Sequence, residues 1–234
     1  MQSVFKLPLA IAVLQRVEEG KLSLDQFIRF RKEDRFLPHA YSPLQDKYPE
    51  ADVDIPLREL LRLAVSLSDN AAADLLLRTI GGPKAVNEYM ASLGIAGFHM
   101  EDDEHALHRD VNAQYRNWFS PRGAAQLLRR ISDHSPISPE HTALLFTWME
   151  ASVIGTRLKG DLPPGAVVAH KPGTSDVDNG IAHATNDIGL ITLPDGRRLA
   201  IAVFVTDSRA DEATRDQTIA RIARAAYEAS LPSR

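Results

Sequence analysis

Ser3 and Lys6 stand three apart in Ser3-Val4-Phe5-Lys6, a spacing that on a helix puts an amine beside a hydroxyl. A serine hydroxyl becomes a useful nucleophile only when a base takes its proton. Apolar surroundings favour a neutral lysine amine, so a lysine one turn away is a candidate base. Near a helix start, a serine also sits beside free backbone N–H groups that can hold an oxyanion. Alone the pair means little, because roughly one Ser-x-x-Lys is expected by chance in a chain of this size. Taken alone, an N-capping serine beside a lysine stretched along apolar surface is the better explanation.

Two further clusters add chemistry. Ser68-Asp69-Asn70 holds the residue types that cap helices, and Ala71 begins a helical run. That capping role leaves Ser68 able to relay a proton and Asn70 able to hold an amide or carbonyl. Lys171-Pro172-Gly173-Thr174-Ser175 follows an apolar run, and its Pro-Gly pair is a turn signal. As a site, Lys171 attracts an anion, Gly173 lets a ligand approach the backbone, and Thr174 offers an N–H and a hydroxyl.

In sequence order the three clusters are separated by 65 and 103 residues. Ser-x-x-Lys, Ser-Asp-Asn and Lys-Thr-Gly, in that order, are the set found in class A β-lactamases and penicillin-binding proteins. The sequence resembles that set, with Pro172 at the hydroxyl-bearing position of the last motif. Glu104-His105-Ala106-Leu107-His108 resembles the Glu-x-x-Leu-Asn loop of class A β-lactamases, with His108 in place of asparagine. The competing reading of that stretch is a metal site, since Glu104, His105 and His108 are ligand types. The His-Glu-x-x-His pattern of zinc proteases is absent, so no metal and no cofactor is expected.

From its first residue to about Ala229 the sequence resembles a class A serine β-lactamase, most of all the PER-type extended-spectrum branch. Gln114-Tyr115-Arg116-Asn117-Trp118, Arg157-Leu158-Lys159-Gly160, Val167-Val168-Ala169-His170-Lys171 and Ala184-Thr185-Asn186-Asp187-Ile188-Gly189 carry the likeness. The resemblance implies that Ser3 is acylated and that Lys6 takes its proton, directly or through Glu104 and a water. It implies that Glu104 is the base for deacylation and that Ser68 protonates the departing lactam nitrogen. Backbone N–H groups of Ser3 and Thr174 would form the oxyanion hole. Tyr41, Asn70, His108, Gly173 and Ser175 would contact the substrate, and Lys171, Thr174 and Arg157 would face its carboxylate. Pro172 implies altered substrate binding.

The alternatives are a penicillin-binding peptidase or β-lactam sensor, and an inactive fragment. Family members carry a helix and two strands ahead of the nucleophile, about 40–50 residues on typical element lengths. The expectation is that this chain lacks them, leaving a sheet edge unpaired and the terminal helix short of a partner. The family's destination is the periplasm or the exterior.

The elements that must position these residues are also legible. The apolar stretch from Val4 to Val17 predicts a buried helix ending before Gly20. Helices are expected over 57–67, 71–80, 83–93, 121–132, 139–153 and 214–229, four of them opened by Pro56, Pro83, Pro121 and Pro139. Residues 101–117 read as a long polar loop. Strands are expected over 166–170, 184–193 and 199–206, the last two joined by Pro194-Asp195-Gly196. The order predicts an α+β fold: a helical part over 1–153, and an antiparallel sheet with a closing helix over 154–234.

Composition bounds the rest. The 234 residues are 44% hydrophobic and 25% charged, ordinary for a globular chain with a sizeable core. With no cysteine, thiol nucleophiles, disulfides and thiolate metal sites are excluded. A net charge of −4 provides no basic field for nucleic acid, and no apolar run is long enough to span a bilayer. The expected partner is a small β-lactam, with nothing that demands more than a monomer.

Overall fold

The computed structural model describes residues 1–36, 40–133, 136–153 and 155–231. The sequence-based boundary at 154 and the last three residues lie outside the described residues. A 3-10 turn, Gln2–Phe5, leads into α1, Lys6–Glu18, so Ser3 precedes the helix proper rather than opening one long helix. Pro8 explains the compatibility: as the third residue of α1 it has no intrahelical N–H partner to lose. Every side chain of α1 from Lys6 to Leu14 is buried, because the helix runs through the middle of the helical core.

Around it, β1 (Phe27–Phe30) and β2 (Val53–Pro56) form a hairpin on either side of α2 (Pro43–Lys47). Next come α3 (Leu57–Ser66), α4 (Asn70–Ile80) and α5 (Pro83–Ser92), all packed on α1. α4 ends at Gly81 in the left-handed conformation, as the Gly-Gly pair predicts. β3 (Phe98–His99) pairs with β4 (Trp118–Phe119), so the intervening segment starts and ends at one point. That segment is no plain loop: it holds α6 (Glu104–Arg109) and a 3-10 turn, Val111–Tyr115. Its helical turns are capped by Asp103 and Asp110, whose carboxylates accept the Ala106 and Asn112 N–H groups.

Beyond it, α7 (Pro121–Ser132) and α8 (Pro139–Glu150) each begin with a serine cap followed by proline. The sheet comprises β5 (Val168–Thr174), β6 (Val177–Asp178), β7 (Ile181–Thr192) and β8 (Arg198–Ser208). β7 is central, antiparallel to β5 and β6 on one side and to β8 on the other. Alternation sorts the two faces. Ala169, Ile188 and Leu190 join the helical core, whereas Val168, Ile191 and Val203 meet Ile219 and Ala223 of α9 (Glu212–Ala229). β8 pairs only with β7 among the described residues, and Ile222 of α9 is 44% exposed.

Candidate active site

Four elements meet at one cleft: the turn before α1, the α3–α4 junction, α6 and β5. The cleft has a volume of about 680 Å³ and is lined by Ser3, Tyr41, Ser68, Asn70, Glu104 and His108 on one side, and by residues 172–175 on the other. β5 runs unbroken through Lys171-Pro172-Gly173-Thr174, where the Pro-Gly pair signalled a turn. It can do so because Pro172 lies in the strand flanking β7, where a missing N–H is tolerated. Gly173 is required there: a Cβ would stand 2.7 Å from the Met1 carbonyl oxygen and 3.0 Å from the Val4 nitrogen. The absent side chain lets the strand carrying Thr174 lie against the turn carrying Ser3.

Lys6 is the hub. Its Nζ lies 2.9 Å from Ser3 Oγ, 2.8 Å from the Ser68 carbonyl oxygen and 2.5 Å from Asn70 Oδ1. Glu104 Oε1 is 2.8 Å away as a buried ion pair, yet it accepts no directed hydrogen bond. The chemistry of an ammonium explains both facts. It has three N–H groups, and the other three oxygens take them. Glu104 Oε1 is left as a buried acceptor with an open lone pair, beside the same nitrogen that touches Ser3 Oγ.

A second lysine is handled differently. Lys171 is fully buried, and its Nζ donates to Ser68 Oγ at 2.9 Å and to the Pro172 carbonyl at 3.0 Å. Burial, reinforced by the charge of Lys6, holds its proton affinity well below the usual lysine value. Ser68 therefore links both lysines, its carbonyl facing one and its hydroxyl the other. Its φ of 57° is in the left-handed region, a strained state that the two lysine contacts and the adjoining cap hold in place.

Asp69 anchors that junction. Its carboxylate accepts the Ala72 N–H at 2.8 Å, the Leu44 N–H at 2.6 Å and the Ser42 hydroxyl at 2.9 Å. Burial is the largest influence on it and raises its pKa, against the pull of those donors. Asp69→Ala would strand these buried donors. It is expected to destabilise the fold by about 2–4 kcal/mol, read as a shift in the urea midpoint at unchanged slope.

Glu104 is held by a residue that sequence reading missed. Asp74 of α4 accepts the Glu104 N–H at 2.9 Å, the His105 N–H at 3.1 Å and contacts His105 Nδ1 at 2.6 Å. His105 stacks on Phe36 with 4.0 Å between ring centres, and His108 Nδ1 lies 2.7 Å from the Glu104 carbonyl oxygen. Both histidines thus serve as braces of α6, and no group of three metal-ligand types suited to an ion occurs among the described residues. The segment's neck is closed by Arg116, which grips Asp102 through two bonds of 2.7 and 2.9 Å, and by Asn117 Oδ1, which accepts from Glu101 and Asp102 N–H.

Placement departs from expectation for two substrate-facing residues. Arg157 is 2% exposed and fully engaged behind β5. It donates to Asp216 at 2.7 Å, to the Gly173 and Asn186 carbonyls, and to Thr174 Oγ1 at 2.8 Å. Lys171 likewise lies behind the lining and reaches the cleft through Ser68. Thr174 itself is exposed to the cleft, and because its oxygen accepts from Arg157, its hydroxyl hydrogen is free to be donated outward. Ser175 is knitted into the sheet through the Ala184 N–H, and Tyr41 stands at the rim 51% exposed.

The profile of the family described as "Beta-lactamase enzyme family" matches residues 1–230. The chain is 43% identical over 232 residues to the extended-spectrum β-lactamase PER-1 of Pseudomonas aeruginosa, covering 99% of this chain and 75% of that relative. A solved β-lactamase from Chitinophaga pinensis superposes with a TM-score of 0.95 at 45% identity, over 99% of this chain and 85% of that one. A class A β-lactamase from Bacteroides cellulosilyticus superposes with a TM-score of 0.92 at 35% identity, over 97% and 82%. A likeness at this level of identity, over nearly the whole chain and with the fold just described, leaves one conclusion: the chain belongs to the β-lactamase enzyme family, in its class A branch.

Proposed function

We propose that this enzyme opens the β-lactam ring of penicillins and cephalosporins through a Ser3 ester that a Glu104-activated water then hydrolyses. The observation that carries the reading is the open lone pair of Glu104 Oε1 at the ammonium that also touches Ser3 Oγ. Ser3 Oγ attacks the lactam carbonyl carbon, and its proton passes to Lys6 once the lysine has given its own proton to Glu104 or to solvent and stands as the amine, or passes through a water to Glu104 while the lysine stays an ammonium. The carbonyl oxygen becomes an anion held by the Ser3 and Thr174 N–H groups. The C–N bond breaks as Ser68 gives its proton to the ring nitrogen, and Lys171 replaces that proton. Lys171 regains a proton from Glu104 or solvent, so that Glu104 is again a carboxylate; water then attacks the ester carbon and gives a proton to Glu104. The ester bond breaks as Glu104 passes that proton to Ser3 Oγ, and the opened acid leaves.

Asn70, Tyr41, His108 and Ser175 are assigned to the substrate's side chain, and the outward hydroxyl of Thr174 to its carboxylate. Arg157 acts by fixing Thr174. No metal, cofactor, nucleic acid or membrane is part of the scheme, and a monomer suffices for it. No helix among the described residues is long and apolar enough to cross a membrane. A periplasmic or secreted location is proposed by family likeness. Ring opening is read directly as loss of lactam ultraviolet absorbance. The expected result is turnover of many equivalents, unaffected by a chelator. A single stoichiometric loss that then stops would instead identify a penicillin-binding sensor.

A further inference from the structure

We propose that Tyr115, His183 and Asp207 form a latch that holds the Glu104-bearing segment against the sheet and so positions that carboxylate for the water-dependent step. The inference rests on the role of Glu104 proposed above. The sheet's ladder passes from Ala182–Ser208 to Ala184–Thr206, which leaves His183 and Asp207 opposite one another on β7 and β8. Tyr115 comes from the far end of the segment and closes the triangle. Its hydroxyl donates to Asp207 Oδ1 at 2.7 Å and lies 2.6 Å from His183 Nδ1, which is itself 2.9 Å from Asp207 Oδ1. The Tyr115 and His183 rings also meet edge to face, 5.6 Å between centres.

Three observations mark this as a constructed contact rather than a chance surface meeting. Asp207 has a φ of 49°, a left-handed state rare outside glycine, and this turns its carboxylate to receive Tyr115, His183 and the Thr206 hydroxyl. Those bonds hold the Asp207 carboxyl below its ordinary pKa, so the acceptor is charged and the bonds to it are charge-assisted. His183 also lines the cleft, as does Gln114, the neighbour of Tyr115 in sequence, so the latch borders the site. The segment is thereby held at three places: by Asp74 at the start of α6, by Arg116 and Asn117 at its neck, and by the latch at the end of the 3-10 turn. Acylation uses Ser3, Lys6 and Ser68, none of which lies on that segment. Deacylation needs Glu104 to hold a water, whereas acylation by the direct Lys6 route does not, so deacylation is the step most sensitive to the segment's position.

The variants are Tyr115→Phe and His183→Ala, with His183→Asn as the conservative replacement whose side-chain N–H can still reach Asp207. In stopped flow with a penicillin, deacylation is expected to slow about five- to tenfold while acylation changes less than about twofold, the scale of one lost hydrogen bond at a half-exposed site. kcat and KM then fall together and kcat/KM holds, with His183→Asn close to wild type. In hydrogen exchange, amides of residues 104–116 are expected to exchange faster in both disruptive variants. Unchanged deacylation or unchanged exchange over 104–116 would each overturn the latch. A wild-type adduct that never clears would instead overturn the role given to Glu104, and the exchange measurement still judges the latch.

Discussion

In Glu104→Gln, a penicillin is expected to acylate Ser3 and remain there. The substitution keeps the side chain's size and removes only its ability to take a proton. Glu104 is 3% exposed, held at its backbone by Asp74, and carries the open Oε1 acceptor. A neutral amide can still hold a water, but it cannot deprotonate it. General-base assistance contributes about 10²–10⁴-fold, so kcat is expected to fall by that order. Acylation is spared to the extent that Lys6 takes the Ser3 proton directly, so the variant also separates the two acylation routes. Equal slowing of acylation and deacylation would mean that the proton travels through Glu104 in both steps. Rapid turnover by the variant would remove Glu104 from the mechanism.

Lys6→Ala is expected to damage both chemistry and fold. The ammonium satisfies Ser3 Oγ, the Ser68 carbonyl and Asn70 Oδ1, and it neutralises Glu104 in a site closed to solvent. Removing one partner of a buried pair leaves an uncompensated charge, which costs about 3–5 kcal/mol. Without its base, acylation is expected to slow by about 10²–10⁴-fold. Lys6→Met separates packing from charge and chemistry, because it restores volume but neither charge nor base. It is expected to remain as slow as Lys6→Ala while filling the hole the lysine leaves. Acylation at the wild-type rate in the methionine variant would place the base elsewhere.

What was legible in the sequence was whatever depended on local residue order. α7 and α8 start at serine followed by proline, α4 stops at a glycine pair, and β7 and β8 turn at Pro194-Asp195-Gly196, all features of neighbouring residues. The Ser3–Lys6 contact also followed from helical spacing. Contacts set by the fold were hidden. Arg157 reads as a substrate-facing cation until the strand it braces is seen, because a guanidinium has five N–H groups and the sheet engages them from behind. α6 was masked by a polar composition that reads as loop, since its helical state comes from aspartate caps and from Asp74 of another helix. Asp74 did leave a signal: a lone carboxylate in Ala71-Ala72-Ala73-Asp74-Leu75-Leu76, on an otherwise buried helix, needs a partner. The Tyr115–His183–Asp207 triangle joins residues 68 and 92 positions apart from Tyr115, and no local pattern announces such a contact.

The most direct test of the account is a time course of intact protein mass after a penicillin or cephalosporin is added. The prediction is an adduct of one drug mass on Ser3 that forms while drug is in excess and clears as the last of it is consumed, alongside a Glu104→Gln sample in which the adduct stays. A protein whose mass never changes while drug disappears, or an adduct on any residue other than Ser3, would contradict the acyl-enzyme at the centre of the proposal.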